Sequence, residues 1–573
     1  MEKANFKKNI LRISLIFIVL ISVFLCIYTV GSYKNNNTMT QNNQFRGKGN
    51  TSNNDANNMQ NDQNSSQSIP SSNGTAQSKG NEDVAPQNGN TQSGQTGSMM
   101  PSNSNRQPGQ NRNKQAGDNG NKQLGQNGDM QRGSTNSKYV PALTTYFGIF
   151  LILCIGMYYL FRRKNIKINL ADEKIVLFTL LAVGLLLRIA ASTLMEGYSG
   201  DINLFKNWAS TAANSLSQVY LSARSADYPP LYIYVLALIG KIAKIPAINS
   251  YYVLMLKLPA IIADIITSYF IYRLGKKHFS RVVSIFLAAF YIFNPAIFID
   301  STFWGQVDSF FTLLIVIAVF LLSEKKIAAS SAMFAVAVLM KPQGIIFLPI
   351  LFFELVRERK VKNFIYAIVS AMVTALIIII PFSLNGQSPL WIFNLYSKTI
   401  SEYPYASVNG FNFFSLIGAN YKNNTDNLFV FNYHTWGMLF IIVTTLISWF
   451  VYIKNNNRNF VSAIALLQIA GIFTFSVGMH ERYLFPAVAL SILAFICLKD
   501  RRFFILSIGF SITSYINISS VLFNLNSATF NILLKITSFL NVLLVVYLVK
   551  VLFENAIKKS FAEIIKEESN QNL

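Results

Sequence analysis

Apolar runs of near-membrane length recur along most of the chain, and they limit its possible folds more than any other feature. A helix needs about 20 apolar residues to cross a hydrocarbon core of roughly 30 Å. Only 13% of the residues are charged and 51% are hydrophobic, whereas about a quarter are charged in an average soluble domain. The sequence therefore predicts an all-α polytopic membrane protein of roughly 12–15 helices.

Composition divides the chain into four predicted segments. Residues 1–31 are an N-terminal membrane anchor, in which Lys7-Lys8 precede an apolar run that lacks a small-residue cleavage site. Residues 32–138 are rich in Asn, Gln, Gly and Ser, and they are expected to form a disordered external linker because they contain too few aliphatic residues to bury. Residues 139–555 form the transmembrane domain, and residues 556–573 a cytoplasmic tail.

The net charge of +23 is concentrated in short basic loops between the apolar runs. This distribution is the positive-inside bias of membrane proteins, and it argues against a nucleic-acid partner. The basic loops assigned to the cytoplasm are 162–167, 276–281, 325–326, 357–362, 454–458, 499–502 and 558–559. With these loops inside, Asp201, Asp308, Lys341, the loop 383–432 and the segment 480–483 all lie on the outer side.

Two stretches do not fit a simple alternation of crossings. An odd number of crossings is needed between Asp201 and Lys276, but two apolar stretches occur there, and the shorter one, 231–245, is expected to be interfacial or re-entrant. The stretch 327–356 is interrupted at Lys341-Pro342, which favours a re-entrant hairpin or a kinked pair of helices. The three cysteines and three histidines show neither a disulfide framework nor the spacing of a metal site.

Polar motifs at the outer helix ends are candidate site residues, because ionisable groups at membrane depth are expensive and tend to mark function. Asp201 could act as a general base on an acceptor hydroxyl or bind a divalent ion, or it could be a solvated loop residue. Gln306 and Asp308 are spaced to bind sugar hydroxyls, with Trp304 as a stacking surface. The alternative is an interfacial tryptophan followed by a helix N-cap at Asp308.

Basic groups in the second half of the chain suit a phosphate. Lys341, next to Gln343, could bind the phosphate of a lipid carrier or merely extend to the interface. Arg482 can bind phosphate through two N–H groups, and Glu481 can orient the phosphate or bind a sugar hydroxyl. The neighbouring His480 and Tyr483 are further candidates for substrate binding. The alternative there is an interfacial ion pair.

Other charges occur inside the predicted spans. For Arg188 two interpretations remain open: the side chain contacts substrate, or it extends to the membrane interface. Lys257 and Asp264 share one helix face, which is compatible with a structural ion pair or with a catalytic role.

The order of these motifs resembles the GT-C superfamily of polytopic glycosyltransferases over about residues 175–552. The residues that carry the resemblance are Gly200-Asp201, Trp208-Ala209, Tyr228-Pro229-Pro230-Leu231, Lys257–Asp264, Asn294-Pro295, Trp304–Asp308, Lys341-Pro342-Gln343 and His480–Tyr483. These motif sequences are similar to those of bacterial members of the superfamily. Those members are related to the GPI-anchor second-mannose transferases and, more distantly, to the protein O-mannosyltransferases. The resemblance implies an outward-facing cleft, a functional acid at Asp201 and a polyprenyl-phosphate-sugar donor.

The sequence and the resemblance together predict an inverting hexosyltransferase of the cell membrane, similar to mannosyltransferases. Its expected partners are a polyprenyl-phosphate-linked sugar, a glycan or protein acceptor, and membrane lipid. The resemblance also allows a divalent cation, Mg²⁺ or Mn²⁺, although the sequence shows no complete set of metal ligands. Two other readings are a transporter or flippase of lipid-linked sugars, for which no inverted repeat is evident, and a wall-tethered scaffold.

Overall fold

A computed structural model describes residues 2–47, 137–163, 170–222, 226–384 and 387–571. Most of the predicted linker lies outside these ranges. Within them the chain is helical apart from short connections and the long loop 402–432, which contains one pair of two-residue strands and a four-residue helix. The first helix extends to Gly47, which is beyond the predicted anchor boundary at residue 31.

The secondary structure follows the apolar runs of the sequence. The α-helices are α1 (Glu2–Gly47), α2 (Val140–Arg163), α3 (Leu170–Ser192), α4 (Ser199–Asn214), α5 (Val219–Ser222), α6 (Pro230–Ala243), α7 (Pro246–Asn249), α8 (Tyr252–His278), α9 (Arg281–Ile292), α10 (Pro295–Phe298), α11 (Asp308–Ser323), α12 (Ile327–Val338), α13 (Leu348–Glu358), α14 (Val361–Ser383), α15 (Trp391–Ser401), α16 (Phe413–Leu416), α17 (Tyr433–Asn455), α18 (Val461–Phe475), α19 (Pro486–Leu498), α20 (Arg501–Leu522) and α21 (Ser527–Gln571). A π-helical turn covers Ile299–Trp304, and 3₁₀ turns cover Ser137–Tyr139, Pro342–Phe347 and Arg458–Phe460. The strands β1 (Asn427–Leu428) and β2 (Phe431–Asn432) pair antiparallel.

Nine helices among the described residues are long and apolar enough to cross a membrane, and a bent pair, 281–292 with 295–304, would make ten. These helices confirm the prediction of an all-α polytopic membrane protein. The spans differ in how much of their apolar surface is buried inside the protein, as expected when some helices face lipid and others lie in the interior. Along α14 only 11% of the most apolar window is buried, whereas 83% of the window from Arg458 to Phe475 is buried inside the protein.

The two irregular stretches of the sequence form short elements. Helix α6 has 14 residues, fewer than a span of about 20 requires, and it packs along α4. At Gly240 a Cβ atom would approach the carbonyl oxygen of Ala209 to 2.2 Å, so only glycine allows this spacing. The stretch around Lys341 consists of α12, a 3₁₀ turn and α13, which is a broken rather than continuous helix.

Buried charges in α3 and α8 hold the connections that carry the site. Arg188 and Asp264 form an ion pair at 3.2 Å with both side chains fully buried, and Ser301 donates to the same carboxylate at 2.7 Å. Lys257 donates from Nζ to the carbonyl oxygens of three residues. The acceptors are Ser192 at 3.2 Å, Met195 at 2.6 Å and Thr302 at 3.0 Å. The end of α3 and the π-helical turn are thereby fixed to α8.

Candidate active site

Four connections bring polar side chains together at one end of the bundle. They are the start of α4, the turn between the π-helical turn and α11, the residue before the 3₁₀ turn at Pro342, and the link between α18 and α19. The side chains that meet there are Asp201, Trp304, Gln306, Asp308, Lys341, Glu481 and Arg482. Residues separated by up to 281 positions in the sequence are in direct contact.

Asp201 is held by three donors that all reach its Oδ2 atom. Trp304 donates from Nε1 at 2.6 Å, Gln306 from Nε2 at 2.7 Å and Arg482 from Nη1 at 3.2 Å. The side chain of Asp201 is 20% exposed, and it lies in the first turn of α4, where the helix dipole stabilises a negative charge. The carboxylate is therefore oriented by the protein and still accessible to a substrate.

Arg482 lies at the centre of the cluster. Its Nη1 atom is 3.2 Å from Glu481 Oε1, its Nε atom is 3.8 Å from Asp308 Oδ2, and its guanidinium carbon lies 4.6 Å from the centre of the Trp304 ring. The distance to Asp308 is too long for a hydrogen bond, and neither Nε nor Asp308 Oδ2 has a hydrogen-bond partner among the described residues.

Lys341 is the second cation of the site. Its Nζ atom lies 2.6 Å from Asp308 Oδ1, and both side chains are 4% exposed. The same ammonium is 5.6 Å from the centre of the Tyr228 ring. Tyr228 in turn donates its hydroxyl to Gln306 Oε1 at 3.2 Å, so that Lys341 and Asp201 are connected through one tyrosine and one glutamine.

The π-helical turn explains how Trp304 and Gln306 reach Asp201. The carbonyl of Asp300 accepts from the backbone N–H groups of Gly305 at 3.0 Å and Gln306 at 3.2 Å, which closes the turn. Gly305 has φ +84°, a left-handed conformation that favours glycine. The backbone N–H of Tyr198 donates to the carbonyl of Trp304 at 2.9 Å and thereby ties the start of α4 to the same turn.

His480 is buried between two aromatic rings, those of Tyr403 at 4.5 Å and Tyr483 at 5.0 Å. Burial, together with the nearby charges of Arg482 and Lys341, lowers the pKa of His480 to about 3. The ring is therefore neutral at physiological pH and adds no positive charge for a phosphate. Its backbone pairs with residues 408 and 409 of the long loop before α17.

Most of the residues predicted from sequence meet at this site, but Arg188 and Trp304 have different surroundings from those expected. Arg188 lies in the buried pair with Asp264 rather than with the other candidates. The Trp304 ring is 1% exposed and is stacked on Tyr198 at 4.8 Å, and its expected stacking on a sugar stays a prediction. Gln343 is near Lys341 in sequence, and its Oε1 atom is buried without a hydrogen-bond partner in the described chain.

Sequence reasoning missed Tyr228 and Asp300 as site residues. Tyr228 stands in the Tyr-Pro-Pro-Leu motif, and this position before two prolines was its only signal. Asp300 is fully buried, and neither of its carboxylate oxygens has a hydrogen-bond partner among the described residues. Acidic residues inside an apolar segment are rare in a membrane domain. Asp300 could have been singled out from the sequence for that reason.

A divalent cation finds no obvious set of ligands among the residues that the structure describes. In the described ranges, no group of three or more His, Cys, Asp or Glu side chains is placed to hold a metal ion. Asp201, Asp308 and Glu481 each face a cationic side chain instead.

Residues 227–477 match the model of glycosyltransferase family 87. The match covers somewhat less than half of the chain and includes Tyr228, the turn 304–308 and Lys341, while Asp201 and Arg482 lie on either side of it. No curated protein matches the chain. The match indicates a membrane glycosyltransferase, and the apolar helices indicate a multi-pass membrane protein.

Proposed function

We propose that the protein transfers a hexose, such as mannose, from a polyprenyl-phosphate donor to a hydroxyl group of an envelope glycan or protein, with inversion at the anomeric carbon. The observation that carries this proposal is the meeting of one accessible carboxylate, Asp201, with two cations, Arg482 and Lys341, from distant parts of the chain. The distribution of the basic loops in the sequence supports placing this end of the bundle, in the proposal, on the outer face of the cell membrane.

In the proposed reaction Asp201 accepts the proton of the acceptor hydroxyl. The hydroxyl oxygen then forms a bond to the anomeric carbon, while the bond between that carbon and the phosphate oxygen breaks. The electron pair of that bond leaves with the polyprenyl phosphate, whose charge is neutralised by Arg482 and Lys341. Attack and departure on opposite faces of the sugar invert its configuration.

The cations of the site suit a phosphate better than a neutral leaving group. Arg482 Nε has no hydrogen-bond partner among the described residues and lies beside Asp308, so a phosphate oxygen could bind there through a charge-assisted hydrogen bond. Glu481 and Asp308 hold the two cations in position before the donor arrives, which avoids reorganisation during the reaction. A phosphate monoester of a lipid is itself a good leaving group, and the sequence has no glycine-rich nucleotide motif.

Trp304 and Gln306 act in this proposal as positioning residues. They orient Asp201, because the N–H groups of both side chains donate to its Oδ2 atom. Asp308 is better suited to holding Lys341 than to acting as the base, because it is 4% exposed whereas Asp201 is 20% exposed.

The purified protein in detergent, incubated with labelled polyprenyl-phosphate hexoses and simple glycan or peptide acceptors, tests this function. We expect release of polyprenyl phosphate together with labelled acceptor, and no release from nucleotide sugars. A protein that only moves lipid-linked sugars across a bilayer would produce neither product, because detergent solution has no compartments to connect. Transport in sealed vesicles without release of polyprenyl phosphate would favour the flippase and contradict the proposal.

A further inference from the structure

The hairpin formed by β1 and β2 exposes an apolar tip at the same end of the bundle as the site. Phe429 and Val430 join the two strands and are 90% and 81% exposed, and Phe431 is 41% exposed. With Leu428 they form four consecutive apolar residues between two asparagines. Such a run on a water-facing turn is unfavourable, so it points to a surface that covers it.

The backbone of the tip strengthens this conclusion. Phe429 has φ +57°, in the left-handed region that two-residue hairpin turns normally fill with Gly, Asn or Asp. A bulky aromatic residue is strained there, and it fills the position even though its ring makes little contact with the protein. Strain retained at an exposed position favours a function for the ring itself.

The hairpin is fixed beside the first turn of a membrane helix. Trp436, in the first turn of α17, donates from Nε1 to the carbonyl of Leu428 at 2.9 Å, and its ring contacts that of Phe431 at 5.4 Å. Asn432 accepts the backbone N–H of Thr435 at 2.8 Å and so caps α17 directly after the hairpin. Since α17 is one of the candidate spans, we expect its first turn to lie at the level of the lipid headgroups, where tryptophan is enriched.

The apolar surface is continuous from the hairpin to the lipid-facing side of α17. Exposed apolar side chains follow Trp436 at helical spacing, and they are Met438, Leu439, Ile442, Val443, Leu446 and Phe450. We propose that Phe429 and Val430 insert into the leaflet on the site side of the membrane, with the flanking asparagines in the headgroup region. The partner of this surface is therefore lipid, and the hairpin is an interfacial anchor in addition to the transmembrane helices.

The same loop continues to the site, which gives the anchor a consequence for activity. From the hairpin, the backbone N–H of His434 donates to the carbonyl of Asn424 at 2.9 Å, and Asn423 bridges to Tyr405. Farther along the loop, Val408 donates to Met479 at 3.0 Å, next to His480. Because an unbroken set of backbone contacts joins the tip to the residues beside Arg482, we expect the inserted hairpin to steady the site in a bilayer.

A fluorescent label at the tip tests the insertion. Phe429→Cys carries an environment-sensitive NBD dye, and the protein is placed in nanodiscs of phosphatidylethanolamine and phosphatidylglycerol. Lys422→Cys, in the exposed polar part of the same loop, is the matched control, and unsubstituted protein reports background labelling of Cys26, Cys154 and Cys497. We expect the dye at position 429 to shift to shorter wavelength and to be quenched by lipids with a nitroxide near the carbonyl end of the acyl chain, but not by aqueous iodide.

The dye at position 422 should show the reverse pattern. Quenching by iodide at position 429 to the same extent as at position 422 would overturn the proposal. Protection of position 429 from both quenchers would mean that protein covers the tip, and this outcome also overturns it. Neither result depends on the reaction that the protein catalyses.

A second experiment tests the link to the site and rests on the proposed function. The double variant Phe429→Ser/Val430→Ser should keep its transferase activity in detergent and lose activity in nanodiscs, relative to native protein. Lys422→Ser should behave as native in both media. Equal activity of the double variant and the native protein in nanodiscs would contradict the link, and absence of transfer by native protein in both media would instead contradict the proposed function.

Discussion

Two buried clusters of charges lie at opposite ends of α18, and they differ in how completely their groups are paired. Beyond the Arg458 end, Glu354 is fully buried, and its two oxygens accept from Arg357, Arg458 and Tyr452. At the other end, in the cluster around Arg482, Asp308 Oδ2 and Arg482 Nε are buried without a hydrogen-bond partner in the described chain.

The difference separates a structural role from a functional one. A buried charge that is fully hydrogen-bonded stabilises the fold that contains it, and breaking its pairs is costly. A buried polar group that lacks a partner costs free energy in the empty protein. Such a cost is compensated when a ligand supplies the missing hydrogen bonds. Of these two clusters, we therefore expect the one around Arg482 to bind substrate, since it also contains the accessible carboxylate of Asp201.

Asp201→Asn should have the largest effect on activity, because it removes the proposed base while keeping the shape of the side chain. Transfer should fall by about 10²–10⁴-fold, the usual range for general-base catalysis. Release of polyprenyl phosphate measures the loss, and the melting temperature in detergent shows whether the fold persists. Asp426→Asn, an exposed acid in the loop at the same end, is the control. Transfer at the native rate by Asp201→Asn would remove Asp201 from the mechanism.

Lys341→Met should lower turnover by about 10²–10³-fold, because the departing phosphate loses one of two cations. The stem of the side chain is largely kept, and Asp308 still faces Arg482 at 3.8 Å. Steady-state kinetics with the lipid donor measure this change, with Lys422→Met as the control on the exposed loop. If turnover is unchanged while the apparent affinity for the acceptor falls, Lys341 binds the acceptor rather than the phosphate.

Glu354→Gln should lower stability and leave the activity of each folded molecule unchanged. Breaking a buried ion pair costs about 3–5 kcal/mol in the free energy of unfolding, whereas an exposed pair contributes about 0–1 kcal/mol. Glu324→Gln is the matched control because Glu324 forms an exposed pair with Lys277. Thermal melting and single-turnover transfer are the two measurements. Similar melting temperatures for both variants would contradict the structural role assigned to the Glu354 cluster.

Asp227→Asn should have an effect on stability that depends on pH and is smallest near pH 4. Burial, with Glu402 nearby, raises the pKa of Asp227 to about 7. In the unfolded chain the pKa of aspartate is about 3.9, so between about pH 4 and pH 7 the unfolded state releases a proton that the folded state retains. Stability from this group therefore falls as pH rises through that window.

Asparagine carries no charge and removes this penalty. The melting temperature of Asp227→Asn relative to native protein should rise from pH 4 to pH 8, as measured in detergent at both pH values. Asp426→Asn should show no such trend. A constant difference between Asp227→Asn and native protein at all pH values would mean that Asp227 does not titrate in this range.

The sequence alone was sufficient to predict the helical membrane architecture, and it singled out most of the residues that meet in the candidate site. Asp201, Lys341 and Arg482 were identified because charges at the ends of apolar runs are conspicuous. The contacts of Trp304 could not be predicted, because an aromatic residue at a helix boundary has the same sequence signature whether its ring faces lipid, sugar or protein. Its N–H group reaches Asp201 only because the preceding turn is π-helical.

The pairing of the buried charges shows the same limit. Lys257 and Asp264 share a helix face, and helical periodicity correctly makes them candidates for one polar environment. In the structure Asp264 pairs with Arg188 of another helix, while Lys257 binds three backbone carbonyls. Helical spacing specifies which side chains point in one direction, but it carries no information about which neighbouring helix they meet.

The sequence by itself determined that this protein belongs in a lipid membrane and which charged residues lie within or at the ends of its apolar runs. Both follow from hydropathy and the distribution of basic loops, which are local properties of the chain. What only the tertiary structure decided is which charges are satisfied and which are left with free hydrogen-bonding capacity. That distinction depends on contacts between segments hundreds of residues apart, such as Asp201 with Arg482. Packing of the helices sets those contacts, and no local pattern of residues specifies it.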